Sequence, residues 1–192
     1  MRLQAIRSLV TFRHDGALCQ TTFVTPRVYD LQSSWLLPAS TEEVWAIIAD
    51  VNMSWPSWWP NCTFAGPLER VPPASSSHED ILKATTAHLN FKASLGYTLT
   101  ITIHPMAVLT LSEVDFDAGG HLVGAGRVTL TPEANQTTRM NIEWKVRPTQ
   151  SWMNLLSPIA APVFRAAHAH MMRQGEKGLI KALKNRHSEH MK

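Results

Sequence analysis

The side chains with the clearest chemical potential are the histidines near the C-terminus, beginning with His168 and His170. Imidazole can orient a ligand carbonyl or move a proton near neutral pH. On a helix two residues two positions apart point about 200° away from each other, at ~100° per residue. His168-Ala169-His170 is therefore not a chelate. His168 shares a phase with Phe164, Met171 and Met172, so it is either a polar handle in an apolar cavity or a core histidine bonded to a strand residue. His187 and His190 have a spacing that suits a metal, but they sit in a tail, and no metal site is expected.

Glu113, Asp115 and Asp117 raise the possibility of paired-carboxylate catalysis. Glu113 and Asp115 share the phase of Leu109 and Leu111, which leaves their face open; the alternative is a solvated strand end and turn. No nucleophile elbow, Ser-His-Asp order or Cys-His pairing is present. Gly124-Ala125-Gly126 is not a phosphate loop, because no helix and no Lys-Ser/Thr follow it. Glycine in a strand marks a bend or a close backbone approach, here expected from a helix crossing the sheet. Arg127 and Glu143 are expected to pair across strands on the outer face. Cys19 and Cys62 show neither metal nor redox spacing and are expected to be reduced thiols in a cytoplasmic protein.

The stretch 50–60 carries Trp55, Trp58 and Trp59 out of seven tryptophans in the chain, with Pro56 and Pro60 between and after them. The prolines prevent an ordinary interior helix or central strand. Stiffened aromatic surface of this kind either plugs one end of a core or lines the entrance of an apolar pocket.

These residues need a frame to position them. The 192 residues suit one domain with a substantial core. Hydrophobic residues make up 44% and charged residues 17%, and no apolar run approaches the ~20 residues of a membrane span. The net charge of +3 and pI of about 9.1 are mildly basic. The basic residues of 177–192 lack interleaved aromatics, which reads as a solvated helix end and not as a nucleic-acid surface. The first thirteen residues hold Arg2, Arg7 and Arg13 and no acid, with apolar runs too short for a secretory signal.

Along the chain, 29–37 reads as a strand. Ser40 and Glu43 form a capping box that opens a helix to about position 50, and the Trp-Pro segment follows as a short helix or tight turn. Strands are expected at 61–68 and 80–91, with a loop at 71–79 between them. A cleanly alternating strand at 96–104 is expected to end at Pro105. Further strands are expected at 108–116, 122–131 and 138–146, with a turn at 117–120. In 96–104, Tyr97, Leu99, Ile101 and Ile103 share one face. In 138–146, Met140, Ile142, Trp144 and Val146 do the same. A long amphipathic helix closes the chain, with Phe164, His168, Met171 or Met172, Gly175, Leu179 and Leu183 on its apolar stripe. No βαβ alternation is present. The class is α+β, one antiparallel sheet wrapped around one long helix.

The order of the strand at 29–37, "LLPASTEEVWAIIADVNMSWPSWWP", "GHLVGAGRVTL", "NIEWKV" and the final "AHAHMMRQGEKGLIKAL" resembles the SRPBCC superfamily. These are START-like proteins that include polyketide cyclase/dehydrase families. The resemblance covers 29 to about 183. It implies a helix-grip fold of about seven antiparallel strands around a long C-terminal helix, with an apolar cavity between. The superfamily's helix often carries Asn-His before a Met and a Gly. Here His168, Met172 and Gly175 match, while Ala167 stands at the Asn position.

The expected organisation is an N-terminal extension at 1–28, the START-like domain at 29–186 and a tail at 187–192. The expected partner is a small hydrophobic, aromatic or lipid-like molecule, with no nucleic acid, no transmembrane segment and no cofactor. Its contacts are expected from Trp55, Trp58, Trp59, Leu99, Ile101, Met140, Ile142, Trp144, Phe164, His168, Met171 and Met172. The alternative is a polyketide cyclase or dehydratase with His168 as acid/base. A third reading is an interaction protein that docks a partner through an exposed Trp-Pro rim.

Overall fold

The computed structural model describes residues 28–92, 96–150 and 157–190. The N-terminal extension to position 27, with Cys19, lies outside the described residues.

Strand β1 spans Tyr29–Leu37 and helix α1 spans Thr41–Ile48. The capping box forms as the sequence predicts. The Ser40 N–H donates to Glu43 Oε2 at 2.9 Å, and the Glu43 N–H donates to Ser40 Oγ at 3.3 Å. Two of the helix's otherwise unpaired donors and its entry angle are thereby fixed. Thr138 Oγ1, wholly buried, donates to the Ala39 carbonyl at 2.9 Å and lies 3.3 Å from Thr41 Oγ1. This polar contact ties the start of α1 to a strand nearly a hundred residues later.

A 3-10 turn at Trp55–Ser57 follows, with Pro56 where its missing N–H costs nothing. Short strands β2 (Cys62–Phe64) and β3 (Glu69–Arg70) come next, then helix α2 (His78–Lys83) and strand β4 (Thr85–Lys92). Helix α2 corrects the expectation of a loop at 71–79 and a strand from 80. Ser77 caps it by accepting from the Asp80 N–H, Glu79 and Asp80 occupy its first turn, and Leu82 is buried.

Strand β5 (Thr98–Leu109) runs past Pro105 instead of ending there. The register shifts between Pro105 and Ala107, a bulge at which the missing donor is tolerated. Strand β6 is Glu113–Gly120, so Asp117 to Gly120 are paired residues and not a turn. Strands β7 (Leu122–Glu133) and β8 (Thr137–Pro148) complete an antiparallel sheet of order β1-β8-β7-β6-β5-β4-β2, with β3 beside β4.

Helix α3 spans Ser157–His190 and includes the expected tail positions up to His190. On its stripe Met172, Leu179 and Leu183 are buried, and Phe164 and Met171 pack at the edge of the same core. Fully burying a side chain such as Leu179 contributes roughly 2 kcal/mol. The inward faces of β5 (Leu99, Ile101, Ile103) and β8 (Met140, Ile142, Val146) are buried as the alternation predicts. The architecture is the helix-grip fold expected from the sequence.

The glycines of β7 receive a different partner from the one expected. A Cβ on Gly126 would lie 2.3 Å from the Phe116 ring, and one on Gly124 would lie 2.0 Å from the Lys145 carbonyl oxygen. The close approach comes from neighbouring strands and not from the helix.

Candidate functional site

The space between sheet and α3 holds two chambers. The inner one, about 110 Å³, is lined entirely by apolar and aromatic side chains. The outer one, about 70 Å³, also carries polar side chains from Asn61, Lys92, Tyr97, His168, His170 and Gln174. Phe91, Ile101, Trp144 and Met171 border both and form a waist between them. Each chamber is smaller than the ~300–1,000 Å³ usual for ligand pockets. Met171, one of the four, is an unbranched side chain that adapts readily.

Trp55, Trp58 and Trp59 line the inner chamber, together with Met140 and Ile142. Leu99, Phe164 and His168 line the outer one, and Ile101, Trp144 and Met171 touch both. Met172 borders neither; it is buried in the packed core. Phe91, Leu31 and Leu122 line the outer chamber without having been singled out in the sequence. Tyr97 also lines it, and its phase with Leu99 and Ile101 was the available signal.

The Trp segment is held from several sides. Trp55 Nε1 donates to the Ile48 carbonyl at 2.8 Å. Trp58 and Trp59 stack at 5.4 Å, and Trp59 meets Trp35 and Phe91 edge-on at 5.6 and 5.5 Å. The segment rests on α3 at a notch made by two glycines. A Cβ on Gly175 would lie 2.5 Å from Cε2 of Trp59, and one on Gly178 would lie 2.0 Å from the Trp58 carbonyl oxygen. All three tryptophans are half-buried. The indole Nε1 atoms of Trp58 and Trp59 are buried without a hydrogen-bond partner among the described residues.

His168 shows the same condition. Its Nε2 is buried and unpartnered among the described residues, and burial pushes its pKa down to about 4. The ring is therefore neutral at physiological pH. The strand-bonded core histidine finds no support at this nitrogen. His170 also borders the outer chamber but is exposed.

The other candidate chemistry lies away from the cavity. Arg127 Nε and Nη2 reach the two Asp115 carboxylate oxygens at 2.6 and 2.9 Å, and Nε lies 3.6 Å from Glu113. Glu143 is the register partner of Arg127, but the guanidinium bonds Asp115 instead, which corrects the expected Arg127–Glu143 pair. These groups, with Asp117, border neither chamber, so no carboxylate dyad among the described residues faces the cavity. His187 is not in a free tail; its Nδ1 lies 3.2 Å from Glu43 Oε1. No group of three or more metal-ligating side chains occurs among the described residues. Cys62 is a free, buried thiol, pushed up to about 12 by burial and hence unreactive. No helix of the described residues is long and apolar enough to cross a membrane.

No protein-family model matches the chain, and no curated protein matches it in sequence. Solved structures do match in fold. A START superfamily protein from Mycobacterium smegmatis aligns with a TM-score of 0.61 at 12% identity, over 81% of this chain and 97% of that one. The Zhui aromatase/cyclase from Streptomyces sp. R1128 aligns with a TM-score of 0.60 at 12% identity, over 83% and 96%. The di-domain aromatase/cyclase BexL of the BE-7585A biosynthetic pathway aligns at 0.58 and 12%, over 80% of this chain and 49% of that one. The fold is thus that of START proteins and aromatase/cyclases, as the sequence resemblance implied.

Proposed function

We propose that the chain binds a small, largely apolar molecule, aromatic or lipid-like, in the two-chambered cavity between sheet and α3. The observation that carries this reading is His168. A buried imidazole nitrogen with no partner among the described residues, on the wall of a mostly apolar chamber, is a polar group that lacks its complement. Leaving such an atom unpaired costs about 1–3 kcal/mol, and one polar group on a ligand would recover that cost. Apolar burial supplies the remaining affinity at ~25 cal/mol per Å².

The fold likeness to the Zhui aromatase/cyclase favours a second reading, cyclisation or dehydration with His168 as acid/base. An imidazole with a pKa of about 4 is a weak base for drawing a proton from carbon at neutral pH, and no carboxylate among the described residues borders the cavity to assist it. The geometry favours binding.

Native mass spectrometry of the freshly purified protein, with collisional release, tests the first reading. A discrete small-molecule adduct is expected, and His168→Gln should retain most of it. A clean mass, together with no saturable binding of a small aromatic ketone, would overturn the proposal. Loss of turnover by orders of magnitude in His168→Gln, on a substrate so identified, would favour the enzyme instead.

A further inference from the structure

Helix α3 turns one face to solvent, and the charges on that face are of one sign. Arg173, Lys177, Lys181 and Lys184 are exposed. At ~100° per residue they fall within an arc of about 80° that also holds His170. The acids of α3, Glu176 and Glu189, lie outside that arc, about 60° and 80° beyond its edges. None of the four cations has an ion-pair partner among the described residues.

A merely solvated helix face mixes its charges, with acids three or four residues from the bases. Here Arg173, Lys177 and Lys181 follow one another at four-residue steps, and Lys184 comes three residues later. Like charges at these spacings repel, a cost that an external anionic surface removes. The same arc continues back through Ala166 to Val163, and Val163 is 48% exposed. The ridge from Val163 to Lys184 is about 30 Å long, apolar at one end and cationic along the rest. No aromatic side chain is interleaved with the cations, as stacking on nucleic-acid bases would require. His170 on the arc and Gln174 beside it both border the outer chamber.

We propose that the solvent face of α3 from Val163 to Lys184 docks on an anionic lipid surface. The cations hold the headgroups, each contributing about fivefold in affinity, and Val163 enters the interface beside them. The docking surface stands on its own charge and exposure. Its use rests on the cavity-binding reading above: docking brings the outer chamber, at His170 and Gln174, beside the lipid. An apolar ligand then passes between bilayer and cavity without crossing open water.

The test is co-sedimentation of the full chain, without ligand, with lipid vesicles. Vesicles of equal phosphatidylcholine and phosphatidylglycerol should bind it, and vesicles of phosphatidylcholine alone should not. Binding should vanish at ~1 M salt, where the Debye length is ~3 Å. Lys177→Gln with Lys181→Gln should lower binding about 25-fold, at about fivefold per residue. Lys145→Gln with Arg147→Gln, exposed on β8 and equal in charge change, should leave it nearly unchanged. An equal loss in that control pair would assign the effect to net charge and overturn the inference. Equal binding to both kinds of vesicle would overturn it too. Retention of a single-stranded RNA, with no retention of anionic vesicles, would overturn it in favour of a nucleic-acid surface. If the double variant does not fold, the two single variants decide, each with an expected loss of about fivefold. Vesicle binding is measured without ligand, so its failure leaves the cavity reading to the native mass spectrum.

Discussion

Gly178 of α3 lies directly against the backbone of Trp58: a Cβ there would sit 2.0 Å from the Trp58 carbonyl oxygen and 3.0 Å from Pro60 Cδ. The obstruction is backbone, so no rotamer change relieves it. Gly178→Ala should displace the Trp segment from the helix. Overpacking costs about 1–3 kcal/mol, against a gain of up to ~1 kcal/mol in helix propensity. A net loss of about 1–2 kcal/mol is expected in chemical denaturation, with altered fluorescence of the stacked tryptophans. A rise in the denaturation midpoint would show that the notch does not hold the segment.

The pH dependence of stability should carry a contribution from His168. Its pKa is about 4 in the folded protein against an ordinary value of 6.5, because burial disfavours the charged ring. Between those values the unfolded chain binds a proton that the folded chain does not, so stability falls as pH drops. The contribution is fully present above pH 6.5, is lost progressively down to about pH 4, and is flat below. Its full size is roughly 3 kcal/mol at most. Urea midpoints measured from pH 7.5 to 4 should fall less steeply in His168→Gln than in the wild type.

His168→Leu separates stability from binding. It removes an unpaired buried nitrogen and replaces it with an apolar side chain of similar bulk, a change that is near neutral or stabilising. The ligand-free protein should keep or raise its Tm, while affinity for the bound molecule falls about tenfold. A large loss of Tm would mean that His168 has a structural partner after all.

Ser40→Ala removes half of the capping box and should cost about 1 kcal/mol. The effect should appear as a lower urea midpoint with an unchanged m-value. Lowering pH should reproduce part of it, because Glu43 is held below the usual carboxylate range chiefly by its backbone hydrogen bond with Ser40. Protonation of Glu43 removes the acceptor charge from that bond.

The sequence carries the sheet-and-helix architecture because its signals there are redundant. The stretch 138–146 alternates without interruption, and Ser40 with Glu43 encodes both halves of a reciprocal bond. Helix α2 was missed because six residues give too little periodicity, although Ser77 followed by Glu79 and Asp80 is a start signal. Pro105 misled because a proline ends a regular ladder but is accommodated at a bulge. At the candidate site the tryptophans announced themselves by type. Their seat on α3 did not, since Gly175 and Gly178 act by having no side chain. Nor could the sequence show that Trp55 finds an acceptor while Trp58 and Trp59 find none among the described residues, because that depends on where the Ile48 carbonyl falls in space.

The pairing of β1 with β8 has a consequence for how the molecule is made. Tyr29 lies opposite Val146, and Leu37 opposite Thr138; the Thr41–Thr138 contact alone closes a loop of 97 residues. Closing long loops before any contact rewards them makes such topologies slow to fold. During synthesis β1 emerges early and stays without its sheet neighbour until β8 has left the ribosome. A nascent chain halted before position 137 holds an unpaired edge strand and an incomplete cavity at the same time, and such edges invite pairing with other chains. The grip around the cavity closes only after β8 and α3 have been made.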